Sequence, residues 1–158
     1  MKVAVVQASP VLFDCDATLD KTEHLVSEAA DAGAELVLLP EAFIPGYPRG
    51  LSFGTVVGQR SLEGRRLFQR YFDEAFELSG ASFERLSRIV KQANVFVAIG
   101  VVEKDPSGTL YCTLLYFDKA GELVGKHRKI KPTAAERLIW GEGDGSTLTV
   151  VDTSFGRV

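Results

Sequence analysis

Three residues in this sequence stand where side-chain chemistry could be done: Glu41 in LLPEAFIPGYPRG, Lys129 in GKHRKIKP and Glu136 in PTAAERLIW. Glu41 follows a buried apolar run that ends in Pro40, at the carboxyl tip of what reads as a strand. In layered α/β sheets that end is where ligands bind. A carboxylate held there against apolar neighbours has its charged form disfavoured by desolvation, the condition for a general base. Glu136 comes seven residues after Lys129, and Pro132 and Thr133 read as a helix start that folds it back toward the lysine. A lysine pinned between two glutamates is a fixed cation for a developing oxyanion. Each residue also has an ordinary reading, as a strand-end acid, a solvated strand end or half of a structural ion pair.

The run that contains Lys129 crowds Lys126, His127, Arg128, Lys129 and Lys131 into six positions. In a strand, alternate residues face opposite sides, so these groups do not form one patch. Lys126 and Arg128 share one face; Lys129 and Lys131 share the other. The whole chain has 21 acidic against 18 basic residues, a net charge of −3. That balance argues against nucleic-acid or anionic-membrane partners, which need a broad field of Lys and Arg. The glycine-rich GEGDGS stretch fits neither dinucleotide nor P-loop spacing, and Glu142 and Asp144 would repel phosphate. It reads as an acidic rim loop. His24 and His127 have no third ligand in view, so no metal site is expected. Cys15 and Cys112 lie in unrelated contexts, and each reads as a small buried hydrophobe.

The elements that must position these residues follow from periodicity. Lys2–Ala8 and Glu35–Leu39 read as buried strands around a helix that starts at the capping candidate Asp16 and stops at Gly33, a β-α-β unit. After a Gly/Pro-rich loop, residues 62–78 carry a helical stripe, and Ser82 is the expected cap of a further helix. Val95–Val102, Thr109–Phe117, Leu123–Arg128 and Thr147–Thr153 read as four more strands. Strands apolar on both faces, interleaved with amphipathic helices, give an α/β layered fold, and the tight later turns make the sheet mixed. The 158 residues, 46% of them hydrophobic, suit one domain with a sizeable core. The apolar start at Val3–Val6 is too short for a signal segment or a membrane span, so a cytoplasmic protein is expected. The ending, a turn followed by the start of a strand, reads as an interrupted domain.

Taken together, KVAVVQASP, LLPEAFIPGYPRG, TLYCTLLYFD, GKHRKIKPTAAERLIWGEGDGSTLTVVDT and the final FGRV resemble the nitrilase branch of the carbon–nitrogen hydrolase superfamily over essentially the whole chain. The PGYPRG, LYCT and GKHRK segments look most like nitrilases proper. The resemblance implies a four-layer αββα sandwich, of which residues 1–158 would be the N-terminal part, about half. It implies Glu41 as general base, Lys129 as catalytic lysine, Glu136 as its supporting glutamate and Tyr47 as a substrate-pocket residue. The implied reaction is hydrolysis of a small organic nitrile to a carboxylic acid and ammonia through a cysteine thioester, with no cofactor, in a homo-oligomer built from dimers or spirals. The nucleophilic cysteine of that pattern falls beyond Val158, and Cys112 takes a strand position that is not the nucleophile. The chain alone is therefore expected to be inactive. Two other readings stay open: an amidase or carbamoylase of the same superfamily, and a noncatalytic half-domain that acts as an assembly partner.

Overall fold

A computed structural model describes all 158 residues. In chain order the elements are β1 (Val3–Val5), α1 (Cys15–Asp31), β2 (Leu36–Leu38), a small hairpin of β3 (Thr55–Val56) and β4 (Gln59–Arg60), α2 (Leu62–Asp73) and α3 (Ala81–Ala93). There follow β5 (Phe96–Lys104), β6 (Leu110–Phe117), β7 (Leu123–Arg128), a 3₁₀ turn at Ala134–Leu138 and a last hairpin of β8 (Asp152–Thr153) and β9 (Gly156–Arg157). One five-stranded sheet runs in the order β1-β2-β5-β6-β7. Its first three strands are parallel and its last two antiparallel, the mixed sheet expected.

Helices α1 and α3 cover one face. Leu19, Val26, Leu86, Ile89 and Val90 meet Val37, Val97, Ile99, Val101 and Leu115 of the sheet in a single core cluster. The opposite face carries exposed Val5 and Leu38, so the chain presents one helical layer and one sheet layer, half of an αββα arrangement. A smaller apolar cluster beside the long strand β5 contains Phe13, Ala42, Phe53, Tyr71, Cys112 and Trp140. No helix is long and apolar enough to cross a membrane.

Four expected boundaries move, each for a local reason. Helix α1 is capped by Asp14, whose Oδ1 accepts from the Ala17 N–H at 2.8 Å, while Asp16 sits in the first turn. Helix α3 is not capped by Ser82: the chain turns in at Gly80 with φ +89°, a conformation that glycine reaches without a Cβ penalty. Helix α2 ends at Asp73 rather than near residue 78, because Phe76 leaves to bond with β5. Its N–H donates to Val102 O and its carbonyl accepts from Lys104 N, both at 2.8 Å. The strand expected over Thr147–Thr153 shrinks to β8, paired only with β9. Residues before it run along the outer edge of β7 through side chains instead: Thr147 Oγ1 accepts from Arg128 N at 3.0 Å and Thr149 Oγ1 donates to Lys126 O at 2.9 Å. These hydroxyls cover an edge that a backbone ladder would otherwise fill.

The two cations on one face of β7 meet a buried acid. Glu103, only 2% exposed, accepts from Lys126 Nζ at 2.7 Å, from Arg128 at 2.6 and 2.9 Å, and from Thr113 Oγ1 at 2.7 Å. Arg128 also reaches Asp105 at 2.8 Å and lies over the Tyr111 ring. They are scaffold charges that tie three strands together, not solvated ones. Burial opposes the charge on Glu103, but its bonds to Arg128, Lys126 and Thr113 outweigh it and hold its carboxyl below the ordinary value. A carboxyl depressed in the folded state contributes stability above its unfolded pKa and loses it as pH falls through the folded one. Thermal stability should therefore fall as pH drops below the ordinary glutamate range, about 4.3. A Glu103→Gln variant, less stable at neutral pH, should show a flatter acid limb.

Candidate active site

Glu41 is placed by a difference in strand length. Strand β2 stops at Leu38 while β5 runs on to Lys104, so the chain after β2 has to rejoin the edge of a longer neighbour. It does so by arching: Leu39 N–H donates to Ala98 O, residues 40–42 lift away, and Phe43 N–H returns to Gly100 O at 2.8 Å. Ile44 then bridges to Val101. The arch lies directly over Gly100, where an added Cβ would come within 2.3 Å of Pro40 O, 2.6 Å of Ala42 N and 2.7 Å of Glu41 Cα. All three are backbone atoms that cannot swing aside. Gly100→Ala should lower stability by about 3 kcal/mol, the upper end for overpacking, and shift Glu41; a melting temperature equal to that of the unsubstituted protein would contradict this. Glu41 points from the arch into open space, with its side chain 51% exposed. The apolar burial expected for it is not there.

Lys129 follows β7 directly, and its N–H donates to Cys112 O at 2.8 Å, which extends the β6–β7 ladder by one residue. Alternation sends its side chain away from the Glu103 cluster. Its ammonium donates to Glu41 Oε1 at 2.8 Å and to Glu136 Oε2 at 2.9 Å. Partial burial works against its charge, but the bonds to the two carboxylates prevail and push its pKa well above the ordinary lysine value. Lys129 is therefore a permanent cation. Lys131, further out, pairs with Glu142 in the rim loop.

Glu136 is fixed by its own turn. Thr133 and Glu136 form a capping box, with the Thr133 N–H donating to Glu136 Oε2 at 2.5 Å. Tyr47 OH donates to the other oxygen at 2.6 Å. Burial is again the opposing influence, and the bonds from Tyr47, Thr133 and Lys129 hold Glu136 below the ordinary carboxyl range. That same bond to Glu136, with burial, raises the Tyr47 phenol to about 12. Tyr47 stands edge-on to Trp140 at 5.5 Å, and the Trp140 indole donates to Tyr71 OH at 3.1 Å. So the four residues singled out in the sequence, Glu41, Tyr47, Lys129 and Glu136, form one connected group. The two acids differ in a way that matters chemically: both oxygens of Glu136 are occupied, whereas the bonds to Glu41 all fall on Oε1.

Glu41 lines two cavities. One, of about 780 Å³, lies on the open sheet face among Val5, Leu38, Gly100, Cys112 and Lys129. The other, of about 940 Å³, runs past Pro10, Tyr47, Arg49, Leu51 and Glu136. Sequence reasoning missed Cys112 as a neighbour of Glu41: its Sγ lies 3.4 Å from Oε1. The available signal was the turn Asp105–Gly108 between β5 and β6: the register found across it pairs Cys112 with Val102 and puts that thiol on the face opposite Glu103. Burial and the adjacent Glu41 charge push the Cys112 thiol far above the ordinary range, and burial raises Cys15 to about 11. Neither is poised as a thiolate nucleophile. No three His, Cys, Asp or Glu side chains converge to hold a metal ion.

Comparison with known proteins gives this geometry a setting. The carbon-nitrogen hydrolase family model matches residues 2–158. The chain is 50% identical to Nitrilase 3 of Arabidopsis thaliana and 49% identical to the bifunctional nitrilase/nitrile hydratase NIT4B of Nicotiana tabacum. Each match takes in all of this chain and 45% of the relative, so the chain spans less than half the length of these proteins. Among solved structures, Nit3 of Saccharomyces cerevisiae superimposes with a TM-score of 0.71 at 24% identity, over 99% of this chain and 53% of that one. An amidase from Nesterenkonia sp. gives 0.70 at 20% identity, over 98% and 53%. These superpositions bear on the fold. The chain belongs to the carbon-nitrogen hydrolase family.

Proposed function

We propose that this chain supplies the base, the cation and the supporting acid of an enzyme that hydrolyses an organic nitrile to a carboxylic acid and ammonia. The observation that carries the reading is Lys129, held 2.8 Å from Glu41 and 2.9 Å from Glu136 at the mouth of a cavity. The relatives named as nitrilases, at 47–50% identity, favour a nitrile over an amide. The family gives carbon–nitrogen hydrolysis in either case.

On this reading a cysteine thiol carried C-terminal to Val158 loses its proton to Oε2 of Glu41, and the sulfur attacks the nitrile carbon to form a thioimidate. Lys129 faces the nitrogen where negative charge gathers and, after water adds, the oxygen that replaces it. The proton held by Glu41 and the two protons of the adding water pass to the nitrogen, ammonia leaves with the electrons of the carbon–nitrogen bond, and a second water releases the acid and restores the thiol. Two waters are consumed for each nitrile. Glu136 touches no reacting atom here: with both oxygens occupied it fixes the ammonium. Tyr47, bonded to Glu136 and edge-on to Trp140, shapes the pocket wall.

The reading also holds that residues 1–158 by themselves turn over no nitrile and that the whole enzyme assembles as a homo-oligomer in the cytoplasm. Ammonia release by the whole enzyme, measured on matched nitrile and amide panels, tests the substrate class. Nitriles should be preferred, and preference for amides throughout would move the assignment to the amidase branch.

A further inference from the structure

We propose that Cys112 is a positioning residue for Glu41: its thiol hydrogen occupies Oε1 of the carboxylate and leaves Oε2 as the oxygen that takes up a proton. The inference rests on the reading of Glu41 as the general base. Its geometry stands independently of that reading. Cys112 is held in register by a full antiparallel ladder, opposite Val102 on β5. It is 6% exposed, packed with Ala42, Val102 and Trp140, so its side chain has little freedom to leave. From there Sγ reaches Glu41 Oε1 at 3.4 Å, and the same oxygen accepts from Lys129 Nζ at 2.8 Å. The carbonyl of Cys112 meanwhile accepts the Lys129 N–H. One strand residue thus fixes the backbone of the cation and the carboxylate of the base together.

A thiol can play this part only while it keeps its proton. Burial and the Glu41 charge both favour the neutral form, so Cys112 stays a donor across the working pH range. Arch residues 40–42 make no ladder bonds of their own, and Glu41 is half-exposed, so without a second donor its carboxylate is free to rotate about the single contact with Lys129. Two donors from different strands on one oxygen define the plane of the group and aim the other oxygen outward.

Carbon-13 NMR of glutamate-labelled full-length protein reads this directly, since the Glu41 carboxyl resonance at neutral pH reports its hydrogen bonds without requiring turnover. Cys112→Ala should shift that resonance, because the carboxylate loses a donor. Cys112→Ser, equally small but still a donor, should restore most of that shift. In activity measurements Cys112→Ala should move the acid limb of kcat/KM upward and lower kcat as well, since the carboxylate is no longer held in one plane, and Cys112→Ser should recover both. The Raman S–H band that disappears on Cys112→Ala should lie below that of a free thiol. An unmoved Glu41 resonance in Cys112→Ala, equal shifts for Ala and Ser, or a free-thiol Raman frequency would each overturn the proposal. A Glu41→Gln enzyme with undiminished nitrile hydrolysis would remove the catalytic role and leave the hydrogen bond standing, so the two failures are distinguishable.

Discussion

Lys129→Ala in the whole enzyme should lower kcat/KM for nitrile hydrolysis by about a thousandfold or more, the cost of removing a preorganised charge from a developing anion. The expectation follows from the two bonds that hold this ammonium. Glu41 and Glu136 both hold it, at 2.8 and 2.9 Å, so it needs little reorganisation when charge appears on the substrate nitrogen. Stability should change far less. The pair with half-exposed Glu41 contributes about 1 kcal/mol or less, and Glu136, 10% exposed, keeps its bonds to Tyr47 and Thr133 when Lys129 is removed. Steady-state ammonia release together with a thermal melt separates the two effects. Activity near that of the unsubstituted enzyme would refute the role given to Lys129.

Glu41→Gln should cost about a hundredfold to ten-thousandfold in kcat, with KM nearly unchanged. The amide keeps the size of the carboxylate, and its oxygen can still accept from Lys129 and Cys112, so the pocket should survive. What it loses is an oxygen able to take a proton. The variant should therefore depend on pH in a way the unsubstituted enzyme does not: as pH rises toward the nucleophile's own pKa the thiol ionises unaided, and part of the rate returns. A variant whose rate stays low and flat with rising pH would point to a positional role for Glu41 rather than a basic one.

Much of this site was legible because strand alternation is rigid. The split of GKHRK into two faces needs only a period of two, and the structure keeps it: Lys126 and Arg128 meet Glu103, and Lys129 meets Glu41. The return of Glu136 toward Lys129 was visible in the spacing of Thr133 and Glu136, a capping box. What escaped was non-local. Nothing near Glu103 in sequence announces that two cations and a threonine from later strands will converge on it. The arch over Gly100 arises from unequal lengths of β2 and β5, which apolar runs do not reveal, and it is what leaves Glu41 exposed rather than buried. The short helix α2 and the vanished strand at Thr147–Val151 have the same origin: hydrogen bonds to β5 and β7 outcompeted local propensity.

On the proposed reading, Glu41, Lys129 and Glu136 serve a thiol that neither Cys15 nor Cys112 provides. Mass spectrometry of the protein trapped during nitrile turnover tests it most directly, comparing residues 1–158 with the polypeptide continued C-terminally. The longer polypeptide should release ammonia and carry an acyl adduct on a cysteine beyond Val158, while residues 1–158 release none and stay unmodified. An acyl adduct on Cys112, with turnover by residues 1–158 alone, would contradict it.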